Sequence, residues 1–236
     1  MQATTHRSTR PLALVTGGSR GIGLAIARDL ATTHDVLVGG TTPEGVARVV
    51  EDLPGARPFV ADLTDDGAVA QAVRGIEALD VLVHSAGMVE GGHIAETPAA
   101  QWRQVLELNV VAVAELTRLL LPALRAARGQ IITINSGSGY RANPGSAVYS
   151  ASKFALRALT DALREEERGT VRVTSIHPGR VDTDMQVALQ RRAGNQNYDG
   201  TRYVRPDSVA ATVRLAVDAS PEAMIEELQI RPVRQG

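Results

Sequence analysis

Short apolar runs alternate with longer amphipathic stretches along the 236-residue chain. The runs are too continuous for half-exposed strands and are typical of parallel strands buried on both faces. They cover residues 11–16, 36–38, 57–60, 80–84, 130–134, 171–176 and 224–230. Between them, apolar residues recur every three or four positions, which predicts helices over residues 24–30, 43–52, 98–127, 148–168 and 206–217. This alternation predicts a single-domain α/β fold of the Rossmann type, a doubly wound parallel sheet of about seven strands with helices on both faces.

A glycine-rich loop directly follows the first predicted strand. Residues 16–23 read Thr-Gly-Gly-Ser-Arg-Gly-Ile-Gly and lead into the first predicted helix. A strand, a glycine turn and a helix start in this order bring backbone N–H groups and the positive end of the helix to one point, which is a site for a pyrophosphate. The spacing of Gly17, Gly21 and Gly23 differs from the common G-x-G-x-x-G fingerprint. The loop by itself is therefore also compatible with a simple tight turn.

Composition and charge exclude several classes of function. Hydrophobic residues make up 44% and charged residues 22% of the chain, both close to the globular average. The net charge of −1 supplies no basic excess for nucleic acid or anionic lipid. No apolar run reaches the roughly 18 residues of a membrane span, and residues 1–10 lack the apolar segment of a signal peptide.

We therefore expect a cytoplasmic protein without nucleic-acid or membrane partners. Residues 1–10 are predicted to form a flexible tail, and residues 11–236 a single domain. The chain contains no cysteine, which excludes disulfides, thiolate catalysis and cysteine-based metal sites. No metal site is predicted.

Lys153 is the only lysine in a chain with 24 arginines. Arginine stays protonated, whereas the surroundings of a lysine can move the pKa of its ammonium. Tyr149 precedes Lys153 by four residues, and such positions share one face of a helix, about 5–6 Å apart at Cβ. The pair predicts a phenol next to an ammonium. The alternative is a packed tyrosine and a solvated lysine.

Seven features in sequence order resemble the short-chain dehydrogenase/reductase family, and the resemblance covers nearly the whole chain. They are the loop of residues 16–23, Asp62, the turn of residues 84–87, Asn109, Ser136, the pair of Tyr149 and Lys153, and the segment of residues 178–183. The turn reads His-Ser-Ala-Gly where the family has Asn-Asn-Ala-Gly. The family separation of thirteen residues before the tyrosine selects Ser136 over Ser138.

The resemblance implies a catalytic tetrad of Asn109, Ser136, Tyr149 and Lys153. Tyr149 would act as general acid/base, Ser136 would hold the substrate oxygen, Lys153 would bind the nicotinamide ribose and Asn109 would anchor a water. Without the resemblance, Asn109 reads better as a helix amide bonded to the backbone. An ammonium about 4 Å from the phenol, at an effective dielectric of about 20, contributes about 4 kcal/mol, enough to bring the tyrosine pKa from about 10 to about 7.

The resemblance also implies the cofactor contacts. These are Gly17, Ser19, Arg20, Gly21, Ile22, Gly23, Thr41, Asp62, Leu63, Ser85, Ala86, Gly87, Tyr149, Lys153, Pro178, Gly179, Val181 and Thr183.

The choice between the two nicotinamide cofactors depends on the end of the second strand. NAD-preferring folds of this kind place a carboxylate there to bind the ribose 2′-OH. Residues 39–42 read Gly-Gly-Thr-Thr, and Arg20 is suitably placed to meet a 2′-phosphate. We predict NADP(H) over NAD(H). The alternative for Arg20 is a solvated loop charge.

The predicted activity is hydride transfer between NADP(H) and a small-molecule carbonyl or alcohol. The alternatives are a non-catalytic dinucleotide sensor and a nucleotide-sugar epimerase or dehydratase, whose glycine spacing and larger substrate domain are missing. The expected substrate lid is short, near residues 184–205, and its charged and aromatic side chains are Arg191, Arg192, Tyr198, Arg202, Tyr203 and Arg205. Because arginine is abundant throughout, a solvated surface is favoured there over anion binding. Tyr140, Arg141 and Asn143 are expected to line the pocket, and the two long helices suggest, by resemblance, a homodimer or homotetramer.

Overall fold

The computed structural model describes residues 10–192 and 194–233. The predicted tail thus lies, except for Arg10, outside the described residues. Seven strands form one parallel sheet in the order β3-β2-β1-β4-β5-β6-β7. They are β1 (Leu12–Val15), β2 (Asp35–Gly40), β3 (Arg57–Val60), β4 (Val81–His84), β5 (Gln130–Ile134), β6 (Arg172–Pro178) and β7 (Glu227–Ile230). The predicted fold class is confirmed.

The described part of the chain contains eight α-helices. They are α1 (Gly21–Leu30), α2 (Pro43–Asp52), α3 (Asp66–Ala72), α4 (Ala99–Leu106), α5 (Ala112–Ala127), α6 (Ala147–Glu166), α7 (Asp184–Arg192) and α8 (Pro206–Val217). Of these, α1, α2, α3, α5, α6 and α8 pack on the two faces of the sheet. The sequence did not predict α3 or α7. Val69 is the only buried residue of α3, and α7 has no buried residue. Neither helix therefore shows the regular recurrence of apolar residues that predicts a helix from sequence.

The helix predicted over residues 98–127 is divided in the structure. A π-helical turn, Glu107–Val111, separates α4 from α5 and contains the buried Asn109. Such turns are rare and occur often at functional sites. Helix α5 ends at Ala127, and Arg128 after it has the left-handed conformation, at φ 51°, that a glycine usually adopts at this position. Gly129 is required for close packing instead, because a Cβ there would lie 2.4 Å from the Leu79 carbonyl oxygen.

Successive strand residues point alternately into two hydrophobic cores. Ala13 and Val15 face one core with α1, α2 and α8, whereas Leu14 faces the other with α3, α5 and α6. Because all strands are parallel, their carboxyl ends meet at one edge of the sheet. The strand order reverses between β1 and β4, and ligands of such sheets bind at this reversal.

Each helix of the described residues is too short or too polar to cross a bilayer.

Candidate active site at the carboxyl edge of the sheet

The glycine loop between β1 and α1 is packed backbone against backbone. Gly17 has φ 63°, and a Cβ at this position would lie 2.9 Å from the Ala86 Cα. A Cβ on Gly23 would lie 2.2 Å from the Gly17 carbonyl oxygen. Helix α1 begins at Gly21, so its free N–H groups face the cleft at the carboxyl edge. This backbone cradle at a helix start fits a pyrophosphate.

Thr16 joins the two strands at which the sheet order reverses. Its hydroxyl oxygen accepts hydrogen bonds from the backbone N–H groups of Ser85 and Ala86, both at 3.0 Å, and its hydroxyl donates to the Val83 carbonyl at 3.3 Å. The sequence places Thr16 at the start of the glycine loop and predicts no role for it. The only available signal was a hydroxyl at the end of a buried strand.

His84 replaces the first asparagine of the family turn and faces away from the cleft. Its Nε2 atom lies 2.9 Å from the Thr117 hydroxyl of α5, and the side chain is buried. Burial lowers the pKa of His84 to about 4 and keeps the ring neutral. The turn at Ser85, Ala86 and Gly87 is therefore held through its backbone.

Five of the residues expected to contact the cofactor lie near the carboxyl ends of β1, β2 and β3. Ser19 lies next to the end of β2, since a Cβ on Gly40 would be 3.6 Å from its Oγ. Arg20 and Thr41 are exposed at the same edge. The Asp62 carboxylate accepts hydrogen bonds from the Thr64 N–H at 2.9 Å and hydroxyl at 2.8 Å, and these bonds lower the pKa of Asp62. Leu63 packs against the core.

The segment after β6 returns to the glycine loop. Pro178 ends β6, and the Gly179 N–H donates to the Ile230 carbonyl at 2.7 Å. Val181 pairs with Val204 and packs in a small apolar cluster with Ile22. The Thr183 Cγ2 atom lies 3.6 Å from a Cβ position on Gly21. The structure thus brings together the predicted residues on both sides of the cleft.

Tyr149 and Lys153 lie one helical turn apart on α6. The Lys153 Nζ atom is 5.8 Å from the centre of the Tyr149 ring and donates a hydrogen bond to the Ile134 carbonyl at 3.0 Å. Burial lowers the pKa of Lys153 to about 8. Burial also raises the pKa of the Tyr149 phenol, and a hydrogen bond with Ser136 acts in the opposite direction. Desolvation of the buried phenol is the larger of these two effects, so in the polypeptide alone the pKa of Tyr149 is raised and not lowered as expected.

Ser136 follows β5 and is the serine that contacts Tyr149. Its hydroxyl oxygen accepts a hydrogen bond from the Ser138 backbone N–H at 3.1 Å. In this hydrogen bond, Ser138 takes part through its main chain and Ser136 through its side chain.

Asn109 fixes the loop after β4 to helix α6. Its Oδ1 atom accepts from the Met88 N–H at 2.9 Å, and its amide donates to the Met88 carbonyl at 2.9 Å and to the Ser152 hydroxyl at 3.0 Å. Ser152 in turn donates to the Tyr149 carbonyl at 2.7 Å. Gly87 leaves room for this arrangement, because a Cβ there would lie 3.2 Å from Asn109 Oδ1. The backbone-bonding alternative describes the Asn109 side chain in the structure. Sequence reasoning missed Ser152.

The lid contains α7 and is held to the domain by the backbone pairing of Val204 with Val181 and by side-chain contacts. The Tyr198 hydroxyl donates to Asp182 at 2.8 Å, and the Tyr198 and Tyr203 rings stack with centres 5.0 Å apart. Arg192 forms an ion pair of 3.1 Å with Glu90, which lies on the loop after β4. This ion pair joins the lid to the opposite wall of the cleft.

The three residues expected to line the pocket have different positions. Asn143 borders a cavity of about 300 Å³ together with Gly92, His93, Ile94, Ala142, Pro144, Gly145 and Ala147. Arg141 is exposed. Tyr140 does not line this cavity. Its ring lies 4.5 Å from the His177 ring, and the Arg157 guanidinium covers it at 4.1 Å.

Comparison with known proteins identifies the family. A family model described as short chain dehydrogenase matches residues 11–194. The chain is 31% identical over 254 residues to dehydrogenase/reductase SDR family member 11 of Gallus gallus, a match that covers 98% of this chain and 99% of the relative. It is 34% identical over 194 residues to the 3-oxoacyl-(acyl-carrier-protein) reductase FabG of Escherichia coli (strain K12), with 78% and 79% covered.

Among solved structures, the chain resembles an alcohol dehydrogenase from the archaeon Thermococcus sibiricus complexed with 5-hydroxy-NADP. The TM-score is 0.87 at 25% identity, and the match covers 96% of this chain and 98% of that chain. The chain therefore belongs to the short-chain dehydrogenase/reductase family and is an oxidoreductase that takes a nicotinamide dinucleotide.

Proposed function

We propose that this protein transfers a hydride between NADP(H) and a small-molecule carbonyl/alcohol pair, with Tyr149 as general acid/base. The observation that carries the proposal is the convergence of three side chains at the carboxyl edge of the sheet. Ser136 hydrogen-bonds Tyr149, and the buried Lys153 ammonium lies 5.8 Å from the Tyr149 ring. A donor, an acid and a cation are thus grouped beside a loop that fits a pyrophosphate.

The bound cofactor supplies or accepts the hydride. In the reduction, Tyr149 donates a proton to the substrate oxygen, and in the oxidation it accepts that proton. Ser136 holds and polarises the same oxygen. Lys153 stabilises the phenolate: a positive charge about 6 Å away contributes about 3 kcal/mol at an effective dielectric of about 20. Asn109 keeps the Met88 backbone and Ser152 in place around Tyr149.

The mechanism is tested by the Tyr149→Phe variant in an assay of NADPH oxidation against a panel of ketones, aldehydes and quinones. Removal of the acidic hydroxyl should lower kcat by about 1,000-fold, since general acid/base groups contribute about 100- to 10,000-fold. Titration should show nearly unchanged NADPH affinity. Tyr203→Phe, which keeps its ring stacked in the lid, is the matched control and should retain activity.

Unchanged turnover in Tyr149→Phe would reject the mechanism. Binding of NADPH by the wild-type protein without turnover of any compound in the panel would favour the non-catalytic sensor instead.

The preference for NADP(H) is supported by the edge formed by β2 and α1. Residues 39–42 offer no carboxylate, and the exposed Arg20 precedes the first residue of α1 and follows Ser19, which lies next to the end of β2. The similar Thermococcus sibiricus alcohol dehydrogenase was crystallised with 5-hydroxy-NADP. Because a charge-assisted hydrogen bond contributes about 1.5–3 kcal/mol, Arg20→Ala should raise the KM for NADPH at least about tenfold and leave that for NADH unchanged.

The matched control is Arg28→Ala, which removes an exposed arginine from the last turn of the same helix. A lower KM for NADH than for NADPH in the wild-type protein would contradict the assignment.

We also propose a homodimer or homotetramer formed through the faces of α5, its preceding π-helical turn and α6. Val111 and Phe154, both large and apolar, are exposed on these helices. Sedimentation equilibrium measures the assembly directly, and a monomer would refute it. The cytoplasmic location stays a prediction of the sequence.

A further inference from the structure

The backbone of Ser136 is held on both sides by buried side chains. Asn135 Oδ1 accepts from the Ser136 N–H at 2.8 Å, and the Asn135 amide donates to the Lys153 carbonyl at 3.3 Å. On the other side, His177 Nδ1 lies 3.1 Å from the Ser136 carbonyl oxygen. Asn135 is 4% exposed and His177 is fully buried. The peptide of Ser136 is thus fixed between helix α6 and strand β6.

These contacts define the tautomer of His177. A carbonyl oxygen only accepts, so Nδ1 must carry the hydrogen. Nε2 is then the acceptor for the Ser175 hydroxyl, 2.8 Å away. The neutral Nδ1–H imidazole satisfies both neighbours, and burial lowers the pKa of His177 in favour of this neutral form.

Charged and aromatic groups from other elements surround the same ring. Glu227 of β7 places a carboxylate oxygen 3.8 Å from Nε2, and Arg157 and Asp161 of α6 also act on the ring electrostatically. The Tyr140 ring packs against it at 4.5 Å. This packing holds the imidazole in one orientation below the Ser136 turn.

We infer that His177 is a positioning residue for the proposed reaction, because its Nδ1–H bond to the Ser136 carbonyl holds the Ser136 hydroxyl in the place where it meets the substrate oxygen. This inference rests on the proposed function. Ser136 is extended, at φ −163° and ψ 160°, and is followed by a short turn, Gly137–Gly139, that begins and ends with glycine. Within this turn the Ser136 carbonyl also accepts from the Gly139 N–H at 3.0 Å, so the His177 bond is the contact that ties this carbonyl to β6. A displacement of about 1 Å at a reacting centre lowers the rate by about 100-fold.

Two substitutions at His177 separate the hydrogen bond from the packing. The amide of His177→Asn can place an N–H close to the position of Nδ1, whereas His177→Leu keeps much of the volume and removes the donor. We expect His177→Leu to lower kcat about 10- to 100-fold and His177→Asn to lower it less than about threefold, with NADPH affinity unchanged in both. His34→Leu is the matched control. His34 is also buried but lies at the opposite edge of the sheet, where its loss should leave kcat unchanged.

A double variant tests whether His177 acts through Ser136. Once Ser136→Ala has removed the hydroxyl, the addition of His177→Leu should cause no further loss of kcat. A further loss as large as in the wild-type background, or full activity of His177→Leu, would overturn the inference.

The tautomer gives a readout that does not depend on activity. In protein labelled with ¹⁵N-histidine, long-range ¹H–¹⁵N correlation spectra, assigned with His177→Asn, should show His177 protonated at Nδ1 and not at Nε2. A wild-type protein that shows this pattern but reduces no carbonyl would refute the proposed function and leave the contact intact. Protonation at Nε2 would overturn the inference itself.

Discussion

The glycine loop and the lid lie at the same edge of the sheet but are built in opposite ways. In the loop, the backbone is itself the binding surface, and Gly17 and Gly23 leave no room for a Cβ. In the lid, none of the residues of α7 is buried, and a Cβ on Gly194 would meet open space. The loop leaves no space for a side chain at these two positions, whereas the lid is held by two side-chain contacts and by the backbone pairing of Val204 with Val181. A phosphate-binding loop therefore tolerates little change, and a substrate lid can vary.

Gly23→Ala should show the largest effect in this comparison. The new Cβ would lie 2.2 Å from the Gly17 carbonyl oxygen, so the loop must move, and we expect NADPH affinity to fall at least about tenfold, a loss of about 1.4 kcal/mol. Gly194→Ala is the matched lid variant. At φ 81° the alanine should cost about 1–2 kcal/mol of stability without changing NADPH affinity. Equal affinity losses in the two variants, measured by fluorescence titration, would remove the contrast between the regions.

The buried His84 beside this edge should make the protein less stable in acid. Burial lowers the pKa of His84 to about 4, below the 6.5 of a free histidine, so the unfolded chain binds more protons between these values. The contribution of neutral His84 to the free energy of unfolding is complete above about pH 6.5. It falls by roughly 3 kcal/mol as the pH approaches 4. Urea unfolding at pH 7 and pH 5 should show a smaller pH effect in His84→Asn than in the wild-type protein. The control is His93→Asn, which replaces an exposed histidine and should keep the wild-type difference in stability between pH 7 and pH 5. If His84→Asn also kept this difference, the assignment of the pH effect to His84 would be wrong.

The smallest effect is expected from the ion pair of the lid. Arg192 and Glu90 are 3.1 Å apart, but Arg192 is largely exposed, so the pair contributes about 0.5 kcal/mol. Arg192→Gln should change the substrate KM by no more than about threefold, with a weaker effect at high salt. Arg191→Gln, on the same helix, is the control. Loss of turnover in Arg192→Gln would show that the lid is as constrained as the glycine loop.

Most elements predicted from the sequence bury an apolar face. The five inner strands and the long helices do so, whereas the edge strand β3 buries only Phe59 and the edge strand β7 buries no residue. Helices α3 and α7 bury too little to show an apolar pattern. The π-helical turn also escaped prediction, because its residues continue the helical pattern on both sides.

The sequence by itself determined the parallel sheet, the glycine loop and the helical spacing of Tyr149 and Lys153, because periodicity, backbone freedom and an i,i+4 separation are local properties. Tertiary structure alone decided that Thr16 holds the turn after β4, that His84 turns toward α5, and that Asn135 and His177 hold the Ser136 backbone. The contacts of Thr16 with Ser85 and Ala86, of His84 with Thr117 and of His177 with Ser136 each join residues more than 30 positions apart. Such residues meet only because parallel strands bring distant segments to a common edge, where burial then favours the neutral form of His84 and His177.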